Sequence, residues 1–255
     1  MKEIRKDIQD IQTSEKSLFQ EETILEHPFA CTKRMEVLSQ IKEAVQSGVN
    51  LILLTGEQGS GKTVLCRLLE QELAPSSTTV FFSQAVDSFE DVVRSITMQL
   101  GVEGEAGGED EDIGFAVQQI SDFLLTESRD LLIIFDEAEN IFLATLERIR
   151  RMLEQIIGSG ARVHILLSGR KTLLENCDQI SIGDFQNTRE QHFDLAPLSY
   201  AETADYLRNV AVWQSDVDAS KVFSDAVIKE IYGHAQGNLG MTNTLGQDAL
   251  KSPSD

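Results

Sequence analysis

Residues 51–63 read LILLTGEQGSGKT, an apolar run that breaks into glycines and ends on Lys-Thr. The stretch carries the full phosphate-loop pattern G-x-x-x-x-G-K-[ST]. Gly56 opens it, Glu57, Gln58, Gly59 and Ser60 fill it, and Gly61, Lys62 and Thr63 close it. Glycine tolerates positive φ and has no side chain, so the N–H groups of such a loop, on through Val64, can turn toward one phosphate chain. The helix expected from Lys62 to Gln71 offers the same anion its unpaired N–H groups and the positive end of its dipole. Lys62 would neutralise β- and γ-phosphates, and the Thr63 hydroxyl would ligate Mg²⁺.

Leu131–Asn140, LLIIFDEAEN, supplies a second motif. Five consecutive apolar residues indicate a strand buried on both faces, as in a parallel sheet covered by helices. Asp136 and Glu137 follow at its C-terminal end, where open α/β sheets bind their ligands. In a nucleotide site Asp136 would hold Mg²⁺ and Glu137 would orient and deprotonate the attacking water. Phe142, Leu146, Ile149, Leu153 and Ile156 then recur at helical spacing. A further strand is expected over Arg162–Gly169, with Ser168 and Arg170 at its exit, where a polar side chain can sense a γ-phosphate. His164 within it reads as a packed residue.

Between the two motifs, Thr78–Ser83 reads as a strand. Ser88 can cap a helix to about Leu100, and another helix is expected over Phe115–Thr126. Gly101–Asp112 holds six acids and four glycines, reads as a surface loop, and lacks EF-hand spacing. A last short strand is expected over His192–Leu195. This alternation predicts an α/β protein with a parallel five-strand sheet between helices.

Beyond Ser199 the pattern becomes helical throughout. Ser199 and Glu202 form a capping box, Ser224 can cap a second helix to about Ala235, and a third is expected over Leu239–Leu250. Ahead of the first strand, a helix over Lys33–Ser47 carries Val37, Ile41 and Val45. The first 20 residues set Ile4, Ile8, Ile11 and Leu18 in a narrow apolar stripe. The boundaries that follow are 1–48 for N-terminal helices, 49–197 for the nucleotide-binding α/β part, 198–250 for a small all-helical lid, and 251–255 for the start of a linker.

The chain has 22 basic and 42 acidic residues and a net charge of −20. A field of that sign repels a phosphate backbone, which argues against a nucleic-acid partner; the best basic cluster, Arg148, Arg150 and Arg151, is small. No apolar run approaches the roughly 20 residues of a membrane span, and the charged start does not read as a secretory signal. Cys31, Cys66 and Cys177 have no metal-like spacing and read as reduced thiols in a cytoplasmic protein. No N-K-x-D motif for guanine is present.

A five-strand phosphate-loop domain followed by a helical lid resembles the AAA+ ATPases. Within them the chain looks most like the bacterial group of ExeA/GspA secretion ATPases, MshM pilus-biogenesis ATPases and DamX-type division proteins. The stretches that carry the likeness are HPF at 27–29, LLTGEQGSGKTVLCRLL at 53–69, DEAEN at 136–140, LAPLSYAETADYL at 195–207, FSDAVIKEI at 223–231 and QGNLG at 236–240. The resemblance implies ATP and Mg²⁺ as ligands, a homo-oligomer, an envelope-machine partner, and a place at the inner face of the inner membrane within a longer protein. It also implies an ATPase acting as a nucleotide-driven switch. Two departures bear on rate. Most AAA+ lids carry a G-x-P-R arginine, whereas this chain reads Gly237-Asn-Leu-Gly240; and Arg189 falls near, without matching, the place of the arginine finger. Slow turnover in an isolated chain is therefore expected, with Arg189, Arg170 or the Arg148–Arg151 group offered by a neighbouring subunit. The alternatives are a scaffold that holds nucleotide without hydrolysis and a transposition regulator of the MuB or TnsC type.

Overall fold

The strand over Leu51–Gly56 (β1) is buried along its full length, as expected where the apolar run Leu51–Leu54 lies in the interior of a covered sheet. The computed structural model describes residues 32–102, 113–180, 187–212 and 223–251. In chain order, α1 spans Thr32–Gln46, β1 follows, and α2 spans Lys62–Leu73; β2 is Ser77–Phe82, α3 Phe89–Leu100, and α4 Ile113–Glu127. Then come β3 (Asp130–Phe135), a 3₁₀ turn at Ala138–Asn140, α5 (Leu143–Gly158), β4 (Val163–Gly169), α6 (Thr172–Ile180) and β5 (Glu190–Leu195). The helices α7 (Tyr200–Val212), α8 (Asp225–Ala235) and α9 (Leu239–Lys251) come last among the described residues. The apolar stripe of the first 20 residues, the HPF stretch and the acidic loop from 103 to 112 lie outside the described residues.

The described residues fall into two compact units, the first drawn from 32–38, 57–68, 195–212 and 223–251, the second from 39–56, 69–102, 113–180 and 187–194. The second holds the five-stranded sheet, in the order β2-β3-β4-β1-β5. β2 and β3, β3 and β4, and β4 and β1 run parallel, with Leu54 opposite Ser168 and Phe135 opposite Leu167. From β1 the chain skips two places to β2, returns through β3 and β4, and then crosses β1 to reach β5. β1 is thus the switch point of the sheet, where a ligand crevice is expected at the C-terminal strand ends.

Side chains alternate across a strand, so a buried parallel strand needs apolar residues on both faces. Leu51, Leu53, Leu131, Ile133, Phe135, Val163, Ile165 and Leu167 join one core with residues of α3, α4, α5 and α6. Ile52, Leu54, Leu132, Ile134 and Leu166 alternate with them and are equally buried. Phe82 and Phe135 stack with centroids 4.7 Å apart. Large-to-small changes at such sites cost about 2–5 kcal/mol.

Local signals act as expected. The Ser88 hydroxyl accepts the Asp91 N–H, and Gly101 ends α3 in the left-handed region at φ 68°. His164 is buried, its ring hydrogen-bonded through Nδ1 to the Val49 carbonyl at 2.7 Å, and burial lowers its pKa. α6 is an element that periodicity does not announce, because its nine residues bury only Leu173 and Cys177. β5 begins two residues earlier than its apolar pattern, since Glu190, Gln191 and His192 are exposed on an edge strand.

The first unit contains the helical lid. Tyr206, Leu207, Val210, Phe223, Ile228, Ile231 and Leu239 form its core. The Ser199–Glu202 capping box is closed, with the Ser199 N–H donating to Glu202 at 2.7 Å and the Glu202 N–H to Ser199 Oγ at 3.3 Å. The Ser199 backbone N–H donating to the ionised carboxylate, seconded by the Ser199 side chain, lowers the Glu202 pKa. Ser224 caps α8 by accepting the Val227 N–H.

Cys66 and Cys177 are buried and reduced, and burial pushes Cys177 up to about 11. A thiolate is the reactive species, so iodoacetamide at pH 8 should label neither Cys66 nor Cys177 in the native protein and both in denaturant. Mass spectrometry reads the result, and rapid native labelling at either site would contradict the packing described here.

Candidate nucleotide site

In the first unit, the loop after β1 adopts the geometry its glycines permit. Gly59 and Gly61 lie in the left-handed region at φ 77° and 95°, a cost-free conformation for glycine alone. The Ser60 N–H donates to the Glu57 carbonyl at 3.1 Å, closing a turn, and Lys62 Nζ donates to the same carbonyl at 3.1 Å. Glu57, Gln58, Gly59 and Thr63 are exposed, while Ser60 is buried with a hydroxyl oxygen that has no partner among the described residues. A cradle of this kind, with an orphaned buried hydroxyl and a lysine at hand, fits a phosphate chain.

In the second unit, Asp136 follows β3 and is 4% exposed. Its Oδ1 accepts the Ser168 hydroxyl at 2.7 Å and the Glu137 N–H at 3.1 Å. The Asp136 N–H donates to the Phe82 carbonyl at 2.9 Å, which fixes the backbone at this point. Ser168, expected as a phosphate sensor, therefore spends its hydroxyl on the carboxylate beside it. Glu137 is exposed and holds φ 52°, a left-handed conformation that costs a non-glycine residue roughly 1–2 kcal/mol and suits a residue held for function. A carboxylate with one oxygen saturated by donors, next to an exposed carboxylate on a rigid turn, suits a hydrated divalent cation and a polarised water.

The arginines expected near a γ-phosphate all have partners within this unit. Arg170 Nε lies 3.4 Å from Glu139, Arg150 3.4 Å from Glu190, and Arg151 2.6 Å from Glu147. Arg148 meets Glu90 at 2.6 Å, with its guanidinium 4.4 Å from the Phe89 ring centroid. Arg189 donates to the Ser47 carbonyl at 2.6 Å, and its own carbonyl accepts the Asn50 and Leu51 N–H groups, which puts it at the N-terminal ends of the strands. Glu139, half-buried with one oxygen lacking a partner among the described residues, was not singled out by sequence reasoning. Its signal is its place in DEAEN. A Cβ at Gly169 would come within 2.6 Å of that oxygen, so glycine there makes room for it.

Strand order and phosphate loop together define an α/β phosphate-loop protein of the AAA type. The sequence profile of a family described as "AAA domain" matches residues 45–176, just over half of the chain, and the chain belongs to that family. General secretion pathway protein A of Aeromonas hydrophila is 24% identical over 178 residues, 68% of this chain and 32% of the relative. The chain thus spans about a third of that relative's length. Among solved structures, Cdc6p of Pyrobaculum aerophilum superposes with a TM-score of 0.63 at 16% identity, covering 85% of this chain and 59% of that one. The Aeropyrum pernix ORC1 protein, solved in complex with DNA, gives 0.58 at 17% identity over 86% of this chain and 59% of that one. Likeness at that identity establishes the fold.

The Ser168–Asp136 bond is a hydrogen bond to a buried charged group, for which about 1.5–3 kcal/mol is typical. Ser168→Ala should lower the unfolding free energy by that amount, read from the midpoint of a urea melt. An unchanged midpoint would mean that the serine does not support the aspartate.

Proposed function

We propose that the chain binds ATP with Mg²⁺ and hydrolyses it slowly, as the nucleotide-driven switch of a bacterial envelope machine. The observation that carries the reading is the phosphate loop itself, glycines in the left-handed region and Lys62 folded onto its rim. In this reading residues Gly56–Val64 hold the phosphates through N–H groups other than that of Ser60, which closes the turn, and Lys62 exchanges the Glu57 carbonyl for phosphate oxygens. Mg²⁺, held by Thr63 and through water by Asp136, would screen the charge between phosphates. Ser168 keeps the Asp136 carboxylate oriented for that task. Glu137 takes the proton of the attacking water, and an arginine such as Arg189 or Arg170 is supplied by a second copy of the chain.

The link to an envelope machine rests on the relative named for general secretion. The proposal includes a homo-oligomer at the inner face of the inner membrane; among the described residues no helix is long and apolar enough to cross a membrane. A non-hydrolysing scaffold is the second reading, favoured by the intramolecular partners of every candidate arginine and by Gly240 in the place of a lid arginine. DNA regulation has less support, because a net charge of −20 opposes a polyanion.

Lys62→Ala should abolish binding of a fluorescent ATP analogue without shifting the melting temperature. Glu137→Gln should retain binding and slow steady-state hydrolysis by at least ~100-fold, within the usual general-base contribution. Unchanged binding in the first variant removes the site; an unchanged rate in the second moves the water's activator elsewhere. If hydrolysis needs an arginine in trans, worth about 10³–10⁵ in rate, specific activity should rise with protein concentration, whereas the scaffold reading expects no turnover at any dilution.

A further inference from the structure

The carbonyl side of the phosphate loop is gripped by residues outside it, all within the first unit. Asn238 Nδ2 donates to the Gln58 carbonyl at 2.6 Å, and the Gly240 N–H to the Gly59 carbonyl at 2.8 Å. From α1, the buried Arg34 donates through Nε to the Ser60 carbonyl at 3.0 Å and through Nη2 to the Ala196 carbonyl at 2.8 Å. Three consecutive loop carbonyls are therefore bonded from behind. In a planar trans peptide the C=O and the next N–H point in opposite directions, so fixing one aims the other. Bonds to Gln58 and Ser60 oxygens turn the N–H groups of Gly59 and Gly61 the other way, which is the orientation a phosphate needs.

The grip is built for close approach. A Cβ on Gly59 would lie 2.6 Å from Asn238 Oδ1, and one on Gly240 would lie 3.1 Å from the Gly59 Cα, so only glycines fit face to face here. Asn238 is itself held, since its Oδ1 accepts the Met241 N–H at 2.9 Å in the first turn of α9. Gly237, at φ 78°, bonds Leu198 through its carbonyl at 2.9 Å and has no room for a side chain. Asn238, Leu239 and Gly240 thus each meet the loop, Leu239 with its side chain 3.1 Å from the Cβ position of Gly61, while Gly237 anchors the segment to Leu198.

We propose that Asn238, seconded by the Gly240 N–H and Arg34, is a positioning residue for phosphate binding that couples the lid to the loop by aiming the loop's amides. The inference rests on the nucleotide reading of the loop. Coupling is reciprocal: a bound phosphate chain holds the Asn238 contact closed, and loss of that contact loosens the phosphate.

Asn238→Asp separates the two jobs of the side chain, because an aspartate still accepts the Met241 N–H but presents an oxygen to the Gln58 carbonyl where a donor stood. Binding of a fluorescent ATP analogue with Mg²⁺ should weaken about tenfold, and melting of the ligand-free protein should stay within about 2 °C of wild type. The loss should persist at 0.5 M salt, where the Debye length is below about 8 Å and repulsion between the new carboxylate and phosphate is screened. Arg34→Lys, whose single ammonium cannot fork to both carbonyls, should lose several-fold. Wild-type affinity in Asn238→Asp, a loss that vanishes in salt, or a loss matched by a large fall in melting temperature would each overturn the proposal. Lys62→Ala separates the two levels: if wild type and Lys62→Ala bind alike, the nucleotide reading itself fails; if Lys62→Ala alone loses binding, only the coupling fails.

Discussion

The register of β1, β3 and β4 is the constraint on which the second unit depends. Parallel strands buried on both faces cannot slip by one residue without moving an entire apolar set from one layer to the other. Leu54 stays opposite Ser168 and Phe135 opposite Leu167, so the first polar residues beyond the apolar runs emerge together. Asp136 and Ser168 are neighbours for that reason, and their 2.7 Å hydrogen bond is a consequence of core packing rather than of local attraction. The loop that starts at Gly56 leaves the sheet from the same strand ends.

Polar groups at this edge are then settled one against another. Asp136 is held by Ser168 and by the Glu137 N–H, while Glu139 sits against the bare backbone of Gly169 and near Arg170. A half-buried carboxylate oxygen without a partner among the described residues costs free energy, about 1–3 kcal/mol for an ordinary polar group and more for a charged one. Such a group is retained where an incoming partner can satisfy it, which agrees with the edge being a site. The left-handed backbone of Glu137 adds a second local cost at the same place.

Residues 237–240 carry no arginine of the kind that the resemblance to AAA+ lids implied, and this changes the chemistry open to them. An arginine would touch phosphate through charge, whereas Asn238 and Gly240 touch the loop through neutral hydrogen bonds. A device of that kind acts on orientation rather than on charge and contributes little to a transition state. Under the proposed nucleotide reading, such a device would give slow intrinsic turnover and a helical segment that responds to occupancy of the loop.

Sequence alone determined the strands, because runs such as Leu131–Phe135 exceed what a one-sided strand would carry, and it marked the glycine loop after β1, where Gly59 and Gly61 take the positive φ that glycine tolerates. The caps at Ser88, Ser199 and Ser224 were legible for the same reason: each acts on a backbone N–H three residues away. What sequence could not reveal were α6, with two buried residues in nine, and the polar start of an edge strand, since neither carries enough apolar periodicity to register. Nor could it reveal the partners of Arg34, Ser168 and Asn238. Arg34 lies 26 residues from Ser60, Ser168 lies 32 from Asp136, and Asn238 lies 180 from Gln58. Hydrogen bonds across such separations have no local signature, and only packing of the two units' own cores brings their donors to within 3 Å.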